Sequence, residues 1–300
     1  MKILVTGATG MLGYDLCKVL AEKNNVVGLS RGKQIVRTGL SGPDFVKADI
    51  TDRKDLTDLI VKYRPDAIVH SAAVADVDFC ELNPDVAFKV NTEGAENVAD
   101  AAKKAGSYLL YISTDYVFDG TKDSPYIEDD EPNPVSVYGK SKFEAEKYIQ
   151  AHSKDHLIIR SAWMFGEGGK NFVDSTLEHA RKNNMVRAIS DKYGSPTYTL
   201  DLSRAISSLL AALASRNALP GIYHVTNAGI CSRYQFASEI LEYLGIKSEV
   251  LAIQGKDAGG AALRPKMSGL DNSKISKTLG YSLRHYRDAF KDYLQNKEGK

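Results

Sequence analysis

The segment Thr6-Gly7-Ala8-Thr9-Gly10-Met11-Leu12-Gly13 constrains this chain more than any other. It follows directly on the short apolar run Ile3–Val5. It also opens a stretch in which Leu12, Leu16, Val19 and Leu20 recur at helical spacing. A glycine loop between a buried strand and a helix allows a tight turn, close approach of backbone to ligand, and close packing of helix on strand. The helix start then offers unpaired N–H groups to a pyrophosphate. The loop from Gly7 to Gly13 is read on these grounds as a dinucleotide site. Its spacing is GxxGxxG rather than the commoner GxGxxG.

The rest of the first half supports that reading. Val26–Leu29, Ala67–His70 and Tyr108–Ser113 are short, rich in β-branched or aromatic residues, and bounded by polar or glycine punctuation, as buried strands are. Between them, Leu56, Leu59, Ile60 and Tyr63, and later Val86, Val90, Ala95 and Val98, repeat at helical spacing. Such alternation predicts right-handed βαβ units, hence an α/β fold with a doubly wound parallel sheet of the Rossmann type. After about Met164 the pattern changes. Helices over Phe172–Lys182, Leu200–Ala214 and Arg233–Leu244 are interleaved with strands at Val186–Ile189, Ile222–Val225 and Glu249–Ile253. The expected division is a dinucleotide-binding domain over residues 1–163. A smaller mixed α/β substrate lobe follows over 164–295, with some segments returning to the first domain. The polar tail Gln295–Lys300 is expected to fray.

Composition narrows the setting. The 39 basic and 38 acidic residues nearly cancel, so no charge excess calls for nucleic acid. No apolar run reaches bilayer length, and the opening Lys2-Ile3-Leu4-Val5 ends at Thr6-Gly7 with Asp15 soon after, which suits a buried strand better than a signal peptide. Cys17, Cys80 and Cys231 lie far apart without a CxxC pair, as expected of a cytoplasmic protein in a reducing compartment. The six histidines show no metal-ligand spacing, and no metal is expected.

The end of the second strand bears on the cofactor. Where an NAD site usually places Asp or Glu on the ribose, this chain reads Leu29-Ser30-Arg31-Gly32. Ser30 and Arg31 can bind a 2′-phosphate that a carboxylate would repel, so NADP(H) is preferred and NAD(H) is the alternative. Asp49-Ile50, at the next strand end, is placed to flank an adenine. Gly28-Leu29-Ser30-Arg31-Gly32 also matches GxSxG, the nucleophile elbow of serine hydrolases. An elbow leads straight into a helix. Here Lys33-Gln34-Ile35-Val36-Arg37 and a glycine-rich stretch follow instead, which argues against that reading.

Tyr138 and Lys142 are four residues apart, on one face of a helix. A phenol is a fitting proton donor to a carbonyl that accepts hydride, and a neighbouring ammonium is expected to lower its pKa toward working pH. Ser113-Thr114-Asp115 ends a strand where ligands bind in open α/β sheets, so the Thr114 hydroxyl can polarise the same carbonyl.

TGATGMLG, STDYVFDG at Ser113–Gly120 and YGKSK at Tyr138–Lys142 resemble the extended short-chain dehydrogenase/reductase family, and within it the dTDP-4-dehydrorhamnose reductase-like branch. Further matches run nearly the length of the chain: Val90-Asn91, Pro125-Tyr126-Ile127-Glu128, Arg160-Ser161-Ala162-Trp163, Asn171-Phe172-Val173, and the segments from Asp191 to Thr197 and from Arg264 to Asp271. The resemblance implies NADPH-dependent reduction of the C4 ketone of dTDP-4-dehydro-L-rhamnose. It makes Tyr138 the proton donor, Lys142 its electrostatic partner and Thr114 the carbonyl polariser. Asp115 would contact the sugar and Trp163 would lie against the deoxysugar ring. Gly10, Met11 and Leu12 would meet the pyrophosphate, and Ala72 and Ala73, in His70-Ser71-Ala72-Ala73, would leave room for the cofactor. A homodimer is compatible with the resemblance.

Some positions depart from the family pattern. Ser71 stands where relatives often have Asn, and Val74-Ala75 near where they often have Thr, so sugar contacts there are expected to differ. No glutamate beside Tyr14-Asp15 matches the magnesium-bridged dimers of some bacterial relatives. Two alternatives stay open: another nucleotide-sugar reductase or epimerase, and a non-catalytic regulator like the subunit of methionine adenosyltransferase that resembles this family. Ser30-Arg31 speaks against an epimerase with tightly held NAD. An intact Thr114, Tyr138 and Lys142 favours an enzyme over a regulator.

Overall fold

The structure is a computed structural model that describes residues 1–32, 44–215 and 220–298. Its main sheet contains β1 (Lys2–Thr6), β2 (Asn25–Ser30), β3 (Asp44–Lys47), β4 (Ala67–His70), β5 (Tyr108–Thr114) and β6 (His156–Ser161). The later strand Gly221–His224 is added outside β6, and the order across the sheet is Gly221–His224, β6, β5, β4, β1, β2, β3. Every neighbouring pair is parallel. The chain winds from β1 outward through β2 to β3, then crosses back to place β4 on the other side of β1. A crevice therefore opens at the carboxyl ends of β1 and β4, where open α/β sheets bind ligands.

Helices α1 (Met11–Ala21), α2 (Arg53–Tyr63), α3 (Val77–Leu82), α4 (Pro84–Phe88), α5 (Gly94–Ala105) and α6 (Val137–His152) surround this sheet. The period-2 alternation of β1 sorts its side chains between two cores. Ile3 and Val5 join Leu12, Leu16 and Leu20 of α1 and Leu202, Ile206 and Leu209 of the helix Thr199–Ala214. Leu4 joins Leu56 and Ile60 of α2, Val98 and Ala102 of α5, and Ala145 and Ile149 of α6. With both faces covered, the strands have to be apolar throughout, and the four residues of β4 are all buried.

A third core lies beyond the carboxyl edge. It gathers Phe165 of the short strand Met164–Phe165 with Val173, Leu177, Phe236, Ile240, Phe290 and Tyr293 from the helices Phe172–Asn183, Arg233–Tyr243 and Tyr286–Glu298. Met185–Ile189 pairs in parallel with Glu249–Ile253 beside it.

The structure revises two expectations and identifies later segments that pack with the main sheet. Ile222–Val225, grouped by sequence pattern with the smaller lobe, forms the edge of the main sheet, with Ile222 opposite Ile158. The helix Thr199–Ala214 likewise packs on α1. The run containing Val86, Val90, Ala95 and Val98 is not one regular helix: a π-helical turn at Lys89–Glu93 separates α4 from α5. That turn accounts for the five-residue step from Val90 to Ala95, and it leaves Val86 exposed. The expected frayed tail is helical through Glu298. Gln295 donates to the Tyr243 hydroxyl at 3.0 Å and Lys297 pairs with Asp174 at 2.7 Å.

The three cysteines are buried free thiols. Among the described residues no helix is long and apolar enough to cross a membrane, and no cluster of His, Cys, Asp and Glu could hold a metal ion.

Candidate active site

The glycine loop closes against the end of β4. Gly7 has φ +68°, and a Cβ there would meet the Ala72 backbone at 2.8 Å. At Gly13 a Cβ would lie 2.0 Å from the Gly7 carbonyl oxygen, so α1 seats on the loop only through glycine. Thr6 pins the two strand ends beneath. Its hydroxyl pairs with His70 Nδ1 at 2.7 Å and accepts from the Ala72 N–H at 3.3 Å, while Ser71 donates to the Thr6 carbonyl. Gly10 caps α1 without a side-chain hydrogen bond, leaving the first helical N–H groups to a ligand.

A 310 Å³ cavity opens beside this loop, lined by Thr6, Gly7, Thr9, Gly10, Leu29, Ser30, Arg31, Gly32, Ala48, Ile50, Ser71, Ala72, Ala73 and Val90. Seven of the expected cofactor residues thus share one wall: Gly7, Gly10, Ser30, Arg31, Ile50, Ala72 and Ala73. The Ser30 hydroxyl is 2.8 Å from that of Thr9, and Arg31 is exposed at the rim. Leu12 and Gly13 are buried behind the loop, and Met11 packs close to Gly169 of the opposite lobe. Asp49 does not line the cavity; its carboxylate accepts from the backbone and hydroxyl of Thr51. Lys33–Arg37, on which the argument against a nucleophile elbow turned, lie outside the described residues. The glycine cradle, the uncapped helix start and the basic rim fit a dinucleotide.

Tyr138 and Lys142 stand on α6, whose Ser136 cap accepts from the Gly139 N–H at 3.2 Å. A Cβ at Gly139 would fall 2.1 Å from the Tyr116 carbonyl oxygen. Glycine at this point lets the helix start press against the turn after β5, which brings Tyr138 to Thr114. The Tyr138 ring meets Tyr116 edge-on at 6.0 Å. The Lys142 amine donates to the Ile112 carbonyl at 2.8 Å and lies 4.1 Å from the Tyr111 ring centre.

Asn91, part of the family resemblance without an expected site role, ties these parts together. From the π-helical turn it accepts from the Val74 N–H at 2.8 Å, donates to the Val74 carbonyl at 3.0 Å and donates to the Ser141 hydroxyl at 3.1 Å. Ser141 lies between Tyr138 and Lys142. The irregular spacing of the hydrophobic pattern around Val90 was the available signal.

The electrostatics depart from expectation at one point. Burial pushes the Tyr138 phenol well above its ordinary value, and the group that pulls it back is the Thr114 hydroxyl, not Lys142. Burial also brings the Lys142 amine down to about 7. The Asp115 carboxyl, buried with Thr114, is pushed up to about 6 by loss of hydration, although hydrogen bonds from Ser268 and Thr114 oppose this.

Trp163 sits at φ +42°, a left-handed conformation that costs a bulky residue about 1–3 kcal/mol. Its indole fills the space that a Cβ at Gly194 would need. The Arg233 guanidinium lies 3.8 Å from its ring centre and 4.5 Å from that of Phe172. An arginine over this indole was not foreseen, since Arg233 comes from a helix seventy residues downstream in sequence.

Comparison with known proteins places these features in context. The family model described as the RmlD substrate binding domain matches residues 1–298. The spore coat polysaccharide biosynthesis protein SpsK of Bacillus subtilis (strain 168) is 38% identical over 297 residues, covering 99% of this chain and 98% of that protein. A dTDP-4-dehydrorhamnose reductase of Aggregatibacter actinomycetemcomitans is 33% identical over 299 residues, with 97% of each chain covered. Among solved structures, the dTDP-4-dehydrorhamnose reductase of Bacillus anthracis in complex with NADP is similar at TM-score 0.85 and 30% identity, covering 98% of this chain and 99% of that one.

Proposed function

Because the chain belongs to the RmlD substrate binding domain family, we propose that it is an NADPH-dependent nucleotide-sugar reductase, which reduces the C4 ketone of dTDP-4-dehydro-L-rhamnose to dTDP-L-rhamnose. The observation that carries this reading is the junction of two sites. The cradle of Gly7, Gly10, Ser30 and Arg31 opens at the carboxyl edge of the same sheet whose next strand end holds Thr114 against Tyr138. The NADP complex of the relative from Bacillus anthracis supports NADP(H), with NAD(H) as the weaker alternative, and so does the absence of a carboxylate at Ser30-Arg31.

When bound, the cofactor would supply the hydride that the ketone carbon accepts. The residues of this chain do the rest. Arg31 and Ser30 would hold the ribose phosphate, and the first N–H groups of α1 would meet the pyrophosphate. The Thr114 hydroxyl hydrogen-bonds the ketone oxygen and stabilises the charge that develops on it. Tyr138 passes its phenolic proton to that oxygen, which completes the alcohol. Lys142, as an ammonium, stabilises the phenolate left behind. Asp115 accepts from a sugar hydroxyl, and Trp163 faces the deoxysugar.

The test is cofactor oxidation measured with a panel of nucleotide 4-ketosugars. The proposal expects turnover with dTDP-4-dehydro-L-rhamnose and NADPH. Tight NADPH binding without turnover of any ketosugar would contradict it and leave a regulatory NADP-binding protein.

A further inference from the structure

A buried ion pair stands one helical turn behind Lys142. Glu146 follows Lys142 by four residues on α6, so the two share a face of the helix. Its carboxylate is fully buried and takes three hydrogen bonds from Arg160 of β6: Nε to Oε1 at 3.0 Å, Nε to Oε2 at 3.3 Å and Nη2 to Oε2 at 2.7 Å. Arg160 is itself 1% exposed. A well-packed apolar pair usually stabilises a fold as well as a buried ion pair does. Stability alone is therefore a poor reason for these two charges to be here.

Lys142 supplies a better one. Its buried amine has a carbonyl and an aromatic ring as contacts, and neither offsets a full positive charge. From β4 it faces His70, which burial keeps neutral. From β5 it faces Tyr111, and from α6 itself Tyr138, both phenols held protonated by burial. The acids on other elements against α6 are engaged elsewhere. Glu81 accepts from the Val137 N–H, Glu93 is exposed, and Asp100 takes the Arg53 guanidinium and the Tyr148 hydroxyl, with Glu96 beside it. Asp115 accepts from Thr114. Glu146 is the anion that acts on Lys142, and it draws the amine toward its charged form against the effect of burial.

We propose that Glu146 is a positioning residue for the reaction: its carboxylate, locked in place by Arg160, is the counter-charge that favours the ammonium form of Lys142. This rests on the reductase reading, in which the ammonium is the working form. Arg160 holds Glu146 away from a direct salt bridge with Lys142, so the amine stays free to serve Tyr138.

The experiment follows the ionisation of Lys142 by NMR of isotope-labelled lysine side chains, with the signal assigned by its loss in Lys142→Met. Glu146→Gln leaves a buried guanidinium unpaired, so the double variant E146Q/R160M, which removes both charges, is measured beside it. In the double variant the Lys142 midpoint is expected to fall by about one pH unit, a tenfold change in ionisation. The alkaline limb of kcat/KM for ketosugar reduction should move down with it, while kcat at the acid end of the plateau is kept. A folded double variant whose Lys142 midpoint does not move overturns the proposal. A pH-independent loss of activity with an unmoved midpoint does so too, because it assigns the pair to structure alone. If the parent protein reduces no ketosugar, the reductase reading fails by itself, and the NMR titration still decides whether Glu146 sets the charge on Lys142.

Discussion

The Thr114 hydroxyl stands between two groups: it donates to the carboxylate of its neighbour Asp115 at 3.1 Å and lies within hydrogen-bonding reach of the Tyr138 phenol. In the proposed reaction this hydroxyl polarises the ketone, and before substrate arrives its proton is committed to Asp115. Binding has to turn it toward the substrate, and a sugar hydroxyl donating to Asp115 would take its place. Recognition of the sugar and activation of the carbonyl are thereby coupled through one proton.

Asp115 should cost stability at neutral pH. Its folded-state pKa, about 6, lies above the ordinary 3.8, so the fold favours the protonated form. The destabilisation grows as pH rises from about 4 to about 6 and is constant above that range. Asp115→Asn should therefore raise stability by about 2 kcal/mol at pH 7.5 and by nearly nothing below pH 4. Thermal unfolding across pH checks this. The same variant should lose about tenfold or more in kcat/KM, as a charge-assisted contact to the sugar is removed.

Thr114→Val preserves shape and removes the hydroxyl. A fall in kcat of about 10²–10³-fold is expected, the cost of losing one donor to a developing oxyanion. Cofactor affinity should be unaffected, and fluorescence titration with NADPH separates the two effects.

Arg31→Asp places a carboxylate at the rim of the cofactor cavity. The dissociation constant for NADPH should rise about 10–100-fold, while that for NADH changes little. Equal weakening of both cofactors would remove Arg31 from 2′-phosphate binding.

Gly13→Ala tests the cradle. The added methyl would stand 2.0 Å from the Gly7 carbonyl oxygen, a backbone contact that cannot move aside alone. Overpacking of this kind costs about 1–3 kcal/mol or more. Calorimetry should show a lower Tm, and NADPH binding should be lost with it.

Features that depend on local period or on loop chemistry were legible in the sequence. β1, β2, β4 and β5 stand within a residue of their expected bounds, because a strand buried on both faces is a short apolar run with polar punctuation. The lining of the cofactor cavity by Ser30 and Arg31 followed from a strand end, and that by Ala72 and Ala73 from the family resemblance. What stayed hidden was set by partners distant in the chain. β6 carries Arg160 in its interior, and the charge breaks the apolar pattern because its partner Glu146 lies on a helix. Ile222–Val225 reads the same whether it edges a large sheet or a small one, and only its pairing with β6 decides. The expectation that Lys142 acidifies Tyr138 rested on helical spacing. Burial, which spacing does not report, reverses the net shift.

If Tyr138 and a bound nicotinamide act together on a sugar ketone, label on the nicotinamide must reach the sugar. With NADPH deuterated at the reactive carbon of the nicotinamide and dTDP-4-dehydro-L-rhamnose as substrate, deuterium should appear at C4 of the dTDP-L-rhamnose product. Tyr138→Phe should reduce the rate about 10²–10⁴-fold without weakening NADPH binding. Product formed without deuterium at C4, or at an unchanged rate in Tyr138→Phe, would contradict the account.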